Sequence, residues 1–206
     1  MPDSSERKLV LAFAREWDLS QTMAFETVYH ENLRLSLDVK RELLARCGCV
    51  WLYDAVTQEL IGETYGLPVS ENLAFLDGPG AADVYPFRGQ PALYVMSTTI
   101  LPAFQGRGLG KLLKAFFLGV VSQAGFPLVV GHAREGRSVR LNTAFGAEIH
   151  AAHPDWFGSG ETYYFYTLRL TNGRESQGRG GRHHQRRLRP AGRSLLRGRG
   201  DPGGMA

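Results

Sequence analysis

The chain has 206 residues, 43% of them hydrophobic, which suits one domain with a sizeable core, and it holds no apolar run long enough to span a membrane. The formal net charge of +4 divides unevenly: residues 173–206 carry nine arginines against two acidic residues, leaving 15 basic and 18 acidic groups on residues 1–172. The body is thus mildly acidic, and nucleic acid is expected as a partner only through the basic tail.

Residues 1–7 are polar and read as a frayed end. Residues 8–14, KLVLAFA, form a short apolar run that fits a first strand, with a helix start as the alternative. No signal peptide precedes them, so a cytoplasmic location is expected. The pattern is helical from Asp18 to about Leu33. Ser36 reads as the N-cap of a helix LDVKRELLAR that ends at Gly48, with Leu37, Val39, Leu43 and Leu44 partly on one face. Cys47 and Cys49 are too close for an ordinary disulfide and too few for a four-cysteine zinc site, and read as reduced thiols.

Residues 49–55 and 60–69, separated by a short polar turn, predict an antiparallel hairpin. Residues 70–91, rich in glycine, proline and small side chains, read as a long loop that could cover a site. ALYVMSTTI (92–100) is the clearest strand. From Leu109 to Ala124 apolar residues recur at helical spacing, with Leu112, Leu113, Phe116, Phe117, Val120 and Val121 forming a broad face, and Gly125 and Pro127 stop the helix. A buried strand (128–133), a short helix (about 137–144) and two closing strands (about 147–153 and 161–170) complete a body domain of residues 1–172. Residues 173–206 are Gly/Arg-rich with few apolar groups and are expected to be a disordered tail, either a basic arm for nucleic acid or an incidental extension. The tail holds no aromatic residue to stack on bases, which favours the second reading.

QGRGLGK (105–111) lies between the clearest strand and the longest helix, where glycine-rich loops hold phosphate. It is not a Walker A loop: Gln105 stands where the first glycine belongs, and Leu112 stands where a hydroxyl must follow the lysine. The dinucleotide fingerprint fails as well, because the glycines run G-x-G-x-G. What fits is Q-x-x-G-x-G, preceded by Ile100-Leu101-Pro102. This resembles the acyl-CoA pyrophosphate loop of the GNAT superfamily of N-acetyltransferases, and the order of elements over residues 8–170 matches as well.

The resemblance implies an α/β fold with layered helices: a mixed, mostly antiparallel central sheet with a splayed parallel pair. It implies acetyl-CoA as acyl donor, no metal, and direct attack of a primary amine without a covalent enzyme intermediate. Ile100, Leu101, Gln105, Gly106, Arg107, Gly108, Leu109, Gly110, Lys111 and Asn142 are the expected cofactor contacts. The N–H of Ile100 or Leu101 would polarise the thioester carbonyl. Arg107, Lys111 and Lys114 would supply positive charge near the pyrophosphate. Ser138, Arg137 and Arg140 on the short helix are further contacts of the same kind.

Glu63, on a strand flanking the acetyl site, is the first choice of general base. Ser97, Thr98 and Thr99 are expected to hold a water or the substrate, with Asp83, Tyr85 and Asp155 as looser substrate contacts. The family often places a tyrosine acid four residues before the glycine of a Y-x-x-x-G step, and here Asn142 stands there, ahead of Gly146. Asparagine can hydrogen-bond the sulfur or the pantetheine but cannot give a proton. That departure motivates an alternative, a catalytically degenerate acyl-CoA-binding sensor. The expected partner is a small-molecule or peptide amine, the acidic body favouring a cationic one; a homodimer is compatible with the resemblance, and a membrane partner is not expected. His150 and His153 read as surface residues with no third metal ligand in view, His132 as a core histidine, and Tyr163 to Tyr166 as packing on the last strand, with one tyrosine free to line the amine pocket.

Overall fold

The computed structural model describes residues 8–13, 19–69 and 78–170. The frayed end, the tail after residue 172, the start of the first helix at Asp18 and the first part of the 70–91 loop lie outside the described residues.

Alternating strand sequences and the amphipathic helices between them give β1 (Leu9–Phe13), α1 (Leu19–Glu26), α2 (Leu37–Arg46), β2 (Gly48–Asp54), β3 (Leu60–Pro68), α3 (Ala81–Val84), β4 (Ala92–Ile100), α4 (Leu109–Gln123), β5 (Leu128–Arg134), α5 (Arg137–Thr143), β6 (Glu148–His153) and β7 (Tyr163–Arg169). The first helix is shorter than its pattern: α1 stops at Glu26 and a separate 3-10 turn covers Glu31–Leu33. Ser36 caps α2 as expected, its Oγ accepting from the Val39 N–H at 3.3 Å, whereas Gly48 opens β2 instead of ending the helix. The expected long loop holds α3 and a 3-10 turn at Tyr85–Phe87.

The seven strands form one sheet in the order β1-β2-β3-β4-β5-β7-β6, antiparallel except for β4 and β5. This is the mixed, mostly antiparallel sheet with flanking helices that the resemblance implies. The parallel pairing is brief. It runs from Ala92 opposite Leu128 to Val95 opposite Gly131, although β4 continues to Ile100 and β5 to Arg134. Beyond Val95 and Gly131 the two strands part.

Period-two alternation divides the core between the two faces of the sheet. On one face Leu113, Phe117 and Val121 of α4 pack on Val50, Leu52, Leu93, Val95 and Val129. On the other, Phe25 of α1 packs on Cys49, Trp51 and Tyr65, and Leu43 of α2 packs with Leu67, Tyr94 and Val130. The buried stripe of α4 is narrower than its sequence suggests, because Leu112 and Phe116 face outward. On α2 the exposed residues include Leu37 and Val39, and the buried ones are Leu43 and Lys40.

Lys40 is fully buried. Its Nζ lies 2.7 Å from Glu26 Oε1 on α1 and 2.6 Å from Glu63 Oε1 on β3, and it donates to the Thr22 carbonyl at 3.4 Å. Glu26 Oε2 in turn accepts from the Leu35 N–H at 2.8 Å. One ammonium thereby ties both helices of this face to the sheet, and removing it would strand two carboxylates in the interior. Lys40→Ala is expected to destabilise the protein by about 3–5 kcal/mol, read from urea denaturation. A loss below about 1 kcal/mol would mean that the three charges are not held together in solution.

Candidate functional site

The parting of β4 and β5 opens a cavity of about 630 Å³ that takes lining residues from both faces of the sheet. Four of its walls carry chemistry: the glycine loop, the end of β4, α5, and the inner side chains of β5 and β7.

The loop turns on two left-handed glycines, Gly106 (φ +79°) and Gly108 (φ +77°), a conformation that side chains with a Cβ rarely adopt. Gly110 needs no such freedom and sits in the first turn of α4. The N–H groups of the helix's first turn have no intrahelical acceptor, and in α4 the Lys111 N–H reaches back to Gly108 at 3.0 Å. Gly106, Gly108, Leu109 and Gly110 all border the cavity, so the N–H groups of this turn lie where an anion would be held.

The basic residues behave differently from expectation. Arg107 folds back, donating to the Ala103 carbonyl at 3.2 Å with its guanidinium over Phe104, and neither it nor Lys111 lines the cavity. Lys114 is no phosphate clamp at the surface. It is fully buried in the cavity wall, with Nζ 3.4 Å from Tyr166 Oη, and burial pushes it down to about 7. Gln105 is a brace: its Nε2 donates to the Ile100 carbonyl at 2.8 Å while its Oε1 accepts from Arg137 at 2.9 Å, so it fixes the end of β4 to α5.

Backbone register determines which amide can face a thioester. The Leu101 N–H is already given to the Ile61 carbonyl at 3.0 Å, which removes Leu101 as an oxyanion donor. In an antiparallel ladder hydrogen-bonded and non-bonded pairs alternate. Thr98 and Ile100, opposite Thr64 and Gly62, therefore turn their N–H groups toward the parting. Asn142 lies in the cavity wall, almost fully buried. Its Nδ2 donates to the Ser138 carbonyl at 2.9 Å, and its Oδ1 has no partner. A buried acceptor without a donor beside a glycine anion turn fits a ligand that carries both a pyrophosphate and an amide N–H, as acetyl-CoA does.

On the α1/α2 face, the Tyr29 hydroxyl bonds Ser97 Oγ at 2.7 Å and Thr99 Oγ1 at 2.5 Å, and all three border the cavity. Thr98 points to the other face, where it bonds Thr64 Oγ1 at 2.9 Å. Burial pushes Tyr29 up to about 12, so it is a neutral hydroxyl at pH 7. Glu63 pairs with Thr99 in the sheet, yet its carboxylate is directed at Lys40 and is not among the residues that line the cavity. Burial pushes Glu63 up to about 7 against the opposing pull of Lys40. Burial also pushes the Cys47 thiol up to about 12 and Cys49 further, so neither is a thiolate nucleophile.

Sequence reasoning missed Tyr29 and the buried state of Lys114, and of the tyrosines on the last strand it is Tyr163 and Tyr166 that border the cavity. Tyr166 sits where the strands part, since a Cβ on Gly131 would come within 2.9 Å of its hydroxyl. Of the looser candidates, Asp155 Oδ1 accepts from the Gly160 N–H at 2.8 Å within its own turn, and Tyr85 is exposed. Asp83 bonds two histidines, His132 and His153, whereas His150 bonds Thr167. The expectation that His153 lacks further metal-ligating neighbours is therefore corrected: they come from distant parts of the chain.

No protein-family model matches the sequence, and no curated protein matches it. Solved structures match its fold. The ribosomal-protein-S18-alanine N-acetyltransferase of Escherichia coli superimposes with a TM-score of 0.61 at 10% identity, over 81% of this chain and 96% of that one. A mosquito arylalkylamine N-acetyltransferase-like protein gives 0.62 at 17% identity over 79% and 100%. A Bacillus subtilis acetyltransferase in complex with CoA gives 0.57 at 16% over 80% and 100%.

The Lys114 environment makes stability depend on pH. Its folded-state value lies below its unfolded one, so its neutral form supports stability that is lost as pH falls from about 10.5 to about 7. Lys114→Met is expected to gain stability relative to the parent through that window and to level off below it, measured by urea denaturation at a series of pH values. A constant difference would mean that Lys114 stays protonated in the folded protein.

Proposed function

With the fold of the GNAT acetyltransferases as premise, we propose that this protein moves the acetyl group of acetyl-CoA to a primary amine within a ternary complex. The observation that carries the proposal is the cavity through the parted strands, with an anion turn on the α4 face and a hydroxyl cluster on the other. The glycine turn and the α4 N–H groups would hold the pyrophosphate, and Asn142 Oδ1 would accept an amide N–H from the pantetheine arm. The N–H of Ile100 faces the parting and would stabilise the oxyanion that forms on the thioester carbonyl. Acetyl-CoA supplies the activated acyl carbon.

The amine nitrogen attacks that carbon directly, and the C–S bond breaks. Tyr29, Ser97 and Thr99 orient the amine, and its departing proton passes to water in the cavity. Glu63 acts at one remove in this proposal, its charge held by Lys40 behind the hydroxyls. Asn142 cannot protonate the leaving thiolate, and that role falls to Tyr166. Burial keeps its phenol protonated, and Lys114 beside it restores the proton. Tyr29 and Tyr163 with Glu135 on the cavity wall suit a cationic small-molecule or peptide amine.

Calorimetric titration of the full chain is expected to show selective binding of acetyl-CoA over ATP and NADH. Gly108→Glu, which puts a charged side chain at a left-handed position in the anion turn, should abolish it. Absence of binding in folded protein would remove the proposal's main support. Tyr166→Phe is expected to lower kcat by about 10²-fold or more with KM for acetyl-CoA little changed. An equal rise in KM at constant kcat would make Tyr166 a packing residue.

A further inference from the structure

We propose that Asp83, His132 and His153 form a site for a divalent transition-metal cation of the Zn²⁺ class beside the cavity, which His132 borders. This inference does not depend on the acetyl-transfer reading. The three residues come from α3, β5 and β6, separated by 49 and 70 positions along the chain from Asp83. Their ligand atoms all lie within 4.8 Å of one another. Both imidazoles aim Nε2 at the same carboxylate oxygen, Asp83 Oδ2, at 3.2 Å from His132 and 2.5 Å from His153. Two imidazole nitrogens and one carboxylate oxygen are a donor set for Zn²⁺ and its first-row neighbours, whereas Mg²⁺ and Ca²⁺ prefer oxygen throughout.

The two spacings to Asp83 come near to those of a metal site. A cation bound at about 2.0–2.2 Å from each ligand separates the ligand atoms by about 3–3.6 Å. The His132–Asp83 spacing is already in that range, and His153, whose side chain is 23% exposed, has room to withdraw by less than about 1 Å. His132 has the outer support of a metal-bound imidazole. Its Nδ1 lies 2.9 Å from Tyr94 Oη, and with the proton on Nδ1 donated to that oxygen the Nε2 lone pair faces Asp83. Trp156 and Phe165 hold the ring, with centroids at 4.4 and 5.2 Å. Gly80 lies so close over the ring that a Cβ would come within 2.4 Å of Nε2, so the backbone before α3 is shaped around this ligand atom. His132 also borders the cavity. Three protein ligands leave at least one position for water.

The test uses the full chain with His183→Ala and His184→Ala, which removes the paired histidines of the tail. After chelator treatment the protein is titrated with Co²⁺ as a spectroscopic probe and then with Zn²⁺. The expected result is a saturable visible d–d absorption at one equivalent of Co²⁺, displaced by one equivalent of Zn²⁺. Asp83→Asn and His153→Ala should each weaken Co²⁺ binding by at least about tenfold. Zn²⁺ should raise the Tm of the parent by several degrees and leave that of His153→Ala unmoved. His153 lies on a peripheral strand and is partly exposed, so its variant is expected to fold even if Asp83→Asn does not. No d–d band in protein that is folded by circular dichroism, or a band unchanged in His153→Ala, overturns the proposal and leaves the cluster as a hydrogen-bonded Asp–His pair of contacts.

Discussion

The parting of two parallel strands organises this molecule. β4 and β5 share four residue pairs and then diverge at Val95 and Gly131, while β4 stays bound to β3 on its other side up to the Leu101–Ile61 bond. A strand hydrogen-bonded along one edge and free along the other presents a row of unsatisfied backbone groups, which proteins seldom leave without a partner. Here the row borders a cavity. Every chemically interesting group on the site is placed relative to that opening: the glycine turn follows directly from the end of β4, Tyr166 stands at the vertex, and Ser97 and Thr99 face out on one side of the same strand.

Two buried lysines show how differently a fold can treat one charge. Lys40 is surrounded by Glu26, Glu63 and a carbonyl, so its ammonium is neutralised and serves cohesion. Lys114 has a phenol for a neighbour and a cavity wall for surroundings, and its affinity for a proton falls to the physiological range. The first arrangement holds the two helices to the sheet. The second costs stability and yields a group that can take up or release a proton near neutral pH, the condition that acid–base chemistry requires. The asymmetry is consistent with their positions, since only Lys114 borders the opening.

Much of the architecture is legible from periodicity. The largely apolar runs at residues 49–55, 60–69 and 92–100 mark three strands, the first two as a hairpin, and the glycine loop between strand and helix marks the left-handed turn that borders the cavity. What escapes are features that depend on partners distant in sequence. The pattern of α2 marks Leu37 and Val39 as core residues, but the interior there accepts Lys40 because Glu26 and Glu63 arrive from two other elements. Lys114 reads as one more cation beside a phosphate loop, yet its helical phase turns it inward. Leu101 is as good an amide donor as Ile100 on sequence grounds, and only the register with β3 separates them. Asp83, His132 and His153 carry no spacing signal at all, since a loop segment and two strands must fold before they meet.

The brevity of the β4–β5 pairing also has a mechanical meaning. The sheet is two stiff plates, β1 to β4 and β5 with β7 and β6, stitched along a seam of four residue pairs, with α4 lying against strands of the first plate. Bending is concentrated at such a seam, because no other line across the sheet has so few rungs for its strand length. A ligand lying in the opening, bonded to the amides of Thr98 and Ile100 on one plate and packed on the other, would act as a splint. Occupancy of the site would then stiffen the seam between the two plates.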